Sequence, residues 1–269
     1  MYNYPLGMIV VNDVLPQNSA TQMPTVTVST CSLPYRDDDT SLAGVLYWSS
    51  TPAPGVLLVH GGAGLDQHAR DQAHRYAELG YTVLACDMYG DGVRGDREKI
   101  LECLTTLRDD PALLVRRATA GLTALSECPE ATGDAVAIGF CFGGMVCLAL
   151  ARSGANLAAA VSIHGSLATS APARPGGVKA RILVCHGARD PHVPLTDVTA
   201  FAEEMNRADA DWQLIMYGRA VHGFTHAQAV SGATPGVAYD RSADLHSFAA
   251  TKALLAETLP IGGGRSLPR

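Results

Sequence analysis

The seven cysteines of this 269-residue chain, at 31, 86, 103, 128, 141, 147 and 185, form no Cys-x-x-Cys pair. Several fall inside segments that read as strands or helices, which argues against a disulfide framework or a zinc site and suits a reducing, cytoplasmic setting. No apolar stretch approaches the roughly 18 residues of a membrane-spanning helix. The opening Met1-Tyr2-Asn3-Tyr4-Pro5 lacks the basic start of a signal peptide, and the apolar run after it is broken by Asn12 and Asp13. A soluble protein with no membrane partner is expected. A basic footprint is missing too: the net charge is -6, the cations are scattered, and nucleic acid is therefore not an expected partner. The nine histidines show no His-Glu-x-x-His or similar ligand spacing, and no glycine-rich dinucleotide fingerprint follows a strand. Neither a metal nor an organic cofactor is expected. His222 and His226 stand four apart, but in a segment that reads as a loop.

What the chain does have is enough apolar residue, 47%, to build one sizeable core. Short β-rich apolar runs alternate with helix-periodic segments, the pattern of a mostly parallel sheet covered on both faces, and so of an α/β fold. An opening hairpin is expected from runs at 25–30 and 43–48, joined by the turn-rich Arg36-Asp37-Asp38-Asp39-Thr40. Core strands follow at 55–60, 81–86, 135–138, 159–164, 181–186 and 212–217. Helices are expected at 67–79, 97–107, 111–127, 145–150, 196–208 and 240–258. Their inward faces read as Ala69, Ala73, Tyr76 and Ala77 in the first, Val198, Phe201 and Met205 in the fifth, and Leu245, Phe248 and Leu255 in the last. Residues 1–24 read as an N-terminal arm, 25–260 as a single domain and 261–269 as a flexible tail. The chain is expected to be a monomer or a homodimer.

One junction carries chemistry. Gly139-Phe140-Cys141-Phe142-Gly143-Gly144 follows the strand Ala135-Val136-Ala137-Ile138 and precedes a helical run. Strand, sharp turn and helix, with glycines two positions either side of the middle residue, describe a nucleophile elbow. Here the exposed side chain is a thiol. At the first turn of a helix, unpaired N–H groups and the positive end of the dipole favour its thiolate. An elbow nucleophile needs an acid and then a histidine further along the chain. Asp190 lies in Gly187-Ala188-Arg189-Asp190-Pro191-His192-Val193-Pro194 just past one strand, and His222 lies in Val221-His222-Gly223-Phe224 past the next. Loops at the carboxyl ends of successive strands are where open α/β sheets place their sites.

These three motifs, with Val56-Leu57-Leu58-Val59-His60-Gly61-Gly62 and Val83-Leu84-Ala85-Cys86-Asp87-Met88-Tyr89-Gly90, resemble the dienelactone hydrolase family of α/β-hydrolases, from about Thr25 to Leu259. The resemblance implies the α/β-hydrolase fold and a Cys141, Asp190 and His222 triad acting on a small-molecule ester or lactone. The backbone N–H of Phe142 and that of Gly62 or Gly61 are expected to bind the oxyanion. His60, Tyr89, His164 and Phe224 are candidates for the substrate pocket. Two departures bear on substrate. Family members commonly carry a glutamate where this chain has Gly61, and dienelactone hydrolase proper binds its substrate carboxylate with arginines where this chain has Gly90-Asp91 and Thr225-His226. An anionic dienelactone is therefore not the expected substrate unless Arg94, Arg97 or Arg219 substitutes. Three other readings stay open: an acyltransferase or cyclase using the same covalent intermediate, a non-catalytic ligand-binding protein, and a redox sensor, which would need a resolving cysteine nearer than the expectedly buried Cys147.

Overall fold

A computed structural model describes residues 26–49, 52–90, 93 and 95–261. The expected arm, the tail beyond Ile261, and Arg94 lie outside the described residues. The strands are β1 (Ser29–Asp37), β2 (Thr40–Trp48), β3 (Ala53–Val59), β4 (Thr82–Cys86), β5 (Ala131–Phe140), β6 (Ala159–Ile163), β7 (Arg181–Gly187) and β8 (Trp212–Tyr217). The helices are α1 (Gln67–Ala77), α2 (Arg97–Asp109), α3 (Pro111–Ser126), α4 (Phe142–Arg152), α5 (Leu195–Arg207) and α6 (Arg241–Thr258). The strands form one sheet in the order β1-β2-β4-β3-β5-β6-β7-β8, parallel from β4 to β8 and antiparallel where β1 and β2 join.

Alternation along the strands divides the core. Leu57 and Val59 of β3, with Leu84 and Cys86 of β4, face α2 to α5, where Leu107, Ala118, Val146 and Phe201 pack on them. Val56, Leu58, Val83 and Ala85 point the other way, onto Ala69, Ala73 and Tyr76 of α1 and Leu255 of α6. Both faces being covered, the central strands read as continuous apolar runs rather than alternating ones. The helix after β3 and the helix after β5 lie on opposite faces, so the carboxyl ends of these two neighbouring strands open a crevice between them.

Two expectations are corrected. The hairpin's first strand runs from Ser29 to Asp37, past Pro34, and pairs through Asp37 with Thr40 across a two-residue turn, rather than ending at residue 30. A proline normally ends a strand, but β1 is the sheet edge, where no partner asks for its N–H. In α6, Leu255 is buried and Phe248 packs on the core as expected, but Leu245 is 44% exposed, and Ala243, Ser247 and Thr251 complete the buried face. Small residues at a spacing of four let this helix lie close on the sheet. The loop rich in Ala, Pro and Gly after β6 is tied down by a buried ion pair. Arg152 donates two bonds to Glu204, at 2.9 and 2.8 Å, and a third to the Leu167 carbonyl, while Glu204 accepts the Ala173 N–H.

Candidate active site

The turn from β5 into α4 is tight because two glycines leave no room for a side chain. A Cβ at Gly139 would meet the Gly143 carbonyl, and one at Gly143 would meet the Val59 carbonyl. Cys141 between them is held at φ 53 and ψ -114, a conformation that costs a non-glycine residue on the order of 1–3 kcal/mol. Its N–H bonds the Ile163 carbonyl at 3.0 Å, which anchors the strained turn to β6.

His222 is brought to Cys141 by the loop after β8, its N–H bonded to the Gly236 carbonyl at 3.0 Å and its carbonyl to the Ala238 N–H. Its Nε2 lies 3.0 Å from Cys141 Sγ, and its Nδ1–H donates to Asp190 Oδ2 at 2.8 Å. Asp190, buried just past β7, also accepts the His192 N–H at 2.8 Å. Burial opposes charge on all three groups. For Asp190 it is outweighed by the hydrogen bond and charge of His222, which hold the carboxyl below its ordinary range. For His222 it is outweighed by Asp190 and Cys141, which push the imidazole up to about 10. For Cys141 it is outweighed by His222 and by the backbone N–H groups of Phe142 and Gly62, which hold the thiol below its usual value. The arrangement thus favours charge on all three groups against burial, with the Phe142 and Gly62 amides close to the sulfur.

A cleft of about 710 Å³ opens on the sulfur, lined by Gly61, Gly62, His68, Cys141, His222 and His226 among others. Its described lining contains no arginine or lysine, and Asp66 is its one carboxylate. The four residues expected to line this pocket do not. His60, His164 and Phe224 are buried beneath it, and Tyr89 borders a neighbouring cavity. Side chains at the last strand positions are drawn into the packing of the layer below, and the loops beyond them form the wall. Two wall residues were missed. His68, in the first turn of α1, stacks on His226 with 3.7 Å between ring centroids. The signal for His226 was its place four residues after His222; for His68 it was a histidine one step past the start of the helix that follows the Gly61-Gly62 loop. Thr225 carries no charge into the site, its Oγ1 bridging His68 and His164 at 3.1 and 2.8 Å. Arg97 and Arg219 are exposed and outside the lining. Cys147 is fully buried.

Among the described residues no cluster of three or more His, Cys, Asp or Glu is placed to hold a metal ion, and no helix is long and apolar enough to cross a membrane.

The family model described as "Dienelactone hydrolase family" matches residues 42–259. The chain belongs to the dienelactone hydrolase family. It is accordingly a hydrolase acting on ester or lactone bonds. Two solved structures resemble it over most of their length. One, named m3DLH, is 38% identical, with 86% of this chain and 99% of that chain covered at a TM-score of 0.80. The other, a dienelactone hydrolase-like promiscuous phosphotriesterase, P91, from metagenomic libraries, is also 38% identical, covering 87% and 99% at 0.80. A protein of Escherichia coli strain K12 with the provisional name carboxymethylenebutenolidase is 28% identical over 192 residues, 65% of this chain and 69% of that one.

Proposed function

We propose that the enzyme hydrolyses a small, uncharged carboxylic ester or lactone through a Cys141, His222 and Asp190 triad and an acyl-thioester. The observation that carries this reading is the chain of contacts from Asp190 through His222 to Cys141 Sγ, 2.8 and 3.0 Å long. The thiolate attacks the acyl carbon, forming the C–S bond and an oxyanion that the Phe142 and Gly62 N–H groups are turned to receive. Collapse breaks the acyl C–O bond, and the leaving oxygen takes the proton from His222 Nε2. Neutral His222 then takes a proton from water, the hydroxide adds to the thioester, and collapse returns the thiolate and the carboxylic acid. Asp190 orients the ring and stabilises its charge throughout. Selection for a neutral substrate follows from the cleft, whose described lining offers an anion no arginine or lysine, His222 being paired with the sulfur.

Phosphotriesters form a second reading, favoured by the 38% identity to the promiscuous phosphotriesterase. A phosphotriester is likewise uncharged, and its P=O develops charge where the same two amides point. The test is turnover of short p-nitrophenyl esters, simple lactones and a diethyl aryl phosphate by the wild type, Cys141→Ala and His222→Ala, with mass spectrometry of the protein. Turnover and an adduct on Cys141, both lost in the variants, support the triad, and the substrate turned over fastest separates the two readings. An adduct that water does not clear would replace hydrolysis by acyl transfer or cyclisation. Undiminished turnover by Cys141→Ala would overturn the thiol mechanism.

A further inference from the structure

Two side chains that never reach the cleft hold the loop that does. His60 ends the segment leading out of β3 and is fully buried. Its Nε2 receives the N–H of Met88 at 3.2 Å, and because a backbone amide can only donate, the ring proton resides on Nδ1. Nδ1–H therefore donates to the carbonyl of Gly61, 2.7 Å away. Burial in this packed setting holds the His60 pKa below its ordinary value, so the ring stays neutral and keeps that one tautomer.

The consequence comes from peptide geometry. The Gly61 carbonyl and the Gly62 N–H belong to one planar trans peptide and point in opposite directions. Fixing the carbonyl on His60, alongside the Gly64 N–H that bonds it at 3.2 Å, fixes the Gly62 N–H on the far side, toward Cys141. The next peptide is held as well, since the Tyr89 hydroxyl donates to the Gly62 carbonyl at 3.0 Å. The Tyr89 ring packs edge-on against His60 with centroids 4.7 Å apart, so the two anchors brace each other. Both carbonyls that flank Gly62 are thus tied. Two consecutive glycines have more backbone freedom to lose than any other pair and supply no side chain to order themselves.

We infer that His60, braced by Tyr89, is a positioning residue that clamps the Gly61–Gly62 peptide and aims its N–H at the oxyanion formed during acyl transfer. The bond to the Gly61 carbonyl also polarises that peptide, strengthening its N–H as a donor. The inference rests on the Cys141 hydrolase reading and assigns to these residues no contact with substrate.

The experiment compares wild type, Cys141→Ala, His60→Leu, His60→Asn and Tyr89→Phe on p-nitrophenyl acetate, and follows alkylation of Cys141 by iodoacetamide. Alkylation needs the thiolate but develops no oxyanion. Deleting an oxyanion donor outright costs about 10²–10³ in kcat, so loosening one through His60→Leu is expected to cost about 10–100-fold. KM and the alkylation rate should stay within about threefold, because the oxyanion contact is made only in the transition state and the sulfur keeps His222 and the Phe142 N–H, which lower its pKa more than Gly62 does. His60→Asn can place an amide N–H near the Nδ1 position and should recover most of the lost kcat. Tyr89→Phe, which keeps the ring, should cost about 3–10-fold, in keeping with one neutral hydrogen bond. If His60→Leu does not fold, His60→Asn and Tyr89→Phe decide: a His60→Asn variant no faster than Cys141→Ala, or a Tyr89→Phe variant at wild-type kcat, overturns the clamp. Wild-type kcat in His60→Leu, or alkylation falling in step with kcat, overturns it too. If the wild type shows no turnover, or Cys141→Ala matches it, the hydrolase reading itself fails and takes the clamp with it.

Discussion

Replacing Asp190 by asparagine keeps the shape of the side chain and removes its charge and one of its two acceptors. In the native site the carboxylate accepts from two donors at once, His222 Nδ1–H at 2.8 Å and the His192 N–H at 2.8 Å. An amide has one acceptor oxygen. If it faces His222, the His192 N–H is left against an NH₂ group. If it faces His192, the NH₂ donates to Nδ1 and leaves the His222 proton on Nε2 in a neutral ring. The energy at stake is set by the rise of His222 from 6.5 to about 10, in which Asp190 and Cys141 share after burial is overcome. At about 1.4 kcal/mol per tenfold in the proton-binding constant, that rise is worth about 5 kcal/mol. Half of it assigned to Asp190 is about 2.5 kcal/mol, a loss of roughly 50–100-fold in kcat/KM on the alkaline side, where the imidazolium is the minor form. The alkaline limb of the pH profile, set in the wild type by deprotonation of His222 near 10, should move to about 8 by the same reckoning. Steady-state kinetics across pH on a p-nitrophenyl ester measures both. A variant within threefold of wild type, with its alkaline limb still near 10, would refute the view that Asp190 holds the charge on His222.

The wild-type profile itself should be bell-shaped. The reactive pair is lost on the acid side as the thiolate of Cys141, held low by His222, Phe142 and Gly62 against burial, takes up a proton, and on the alkaline side as His222 loses one near 10. A single limb rising through the ordinary thiol range would contradict the resting ion pair. Gly61→Glu should fold, because a Cβ there lies 3.7 Å from the Phe140 carbonyl and 3.8 Å from Cys141 Cβ, both ordinary contacts. The new carboxylate beside the sulfur should slow iodoacetamide alkylation of Cys141 at pH 7 by about 10-fold, through a like charge raising the thiol pKa; an unchanged rate would show that the side chain turns away. Arg152→Ala leaves Glu204 buried without its bidentate partner and should destabilise the fold by about 3–5 kcal/mol in urea titrations. A loss under about 1 kcal/mol would show that the pair is solvated rather than buried.

The sheet was legible because it is covered on both sides. Runs such as Val56-Leu57-Leu58-Val59 have no polar face to break the pattern, and β8 falls at the expected 212–217. The elbow was legible because close packing admits only glycine at 139 and 143, so backbone geometry is written directly in residue type. The edge strand β1 was harder: Pro34 is a stop signal in the chain, and only position in the sheet makes it harmless. Leu245 misled for the opposite reason. Local periodicity put it inward, while the close approach of α6 is set by Ser247 and Thr251, whose hydroxyls bond the Asp244 and Ser247 carbonyls of their own helix and so present an apolar side. The cleft wall was least legible, since His68 and His226 meet across 157 intervening positions. Nothing in either segment announces the other.

Histidine is abundant around the sulfur, and this raises the question of which ring carries the charge. His164 lies 5.4 Å from His222 between ring centroids, and His192 5.2 Å. Among the described residues no carboxylate is hydrogen-bonded to His68, His164 or His226, and burial holds all three below the ordinary imidazole range, His68 at about 3, although Asp66 pulls His226 the other way. Only His222 has an acid on one nitrogen and a thiolate on the other. A second charged imidazole at these distances would repel the first and lower its pKa. Keeping His68, His164 and His226 neutral therefore works in the same direction as Asp190, which raises the His222 pKa. It also constrains their tautomers: with Thr225 Oγ1 able to donate only once, at least one of His68 and His164 must donate to it. Charge order around Cys141 thus rests on burial of the neighbouring rings and on a described cleft lining without arginine or lysine, in which Asp66 is the one carboxylate.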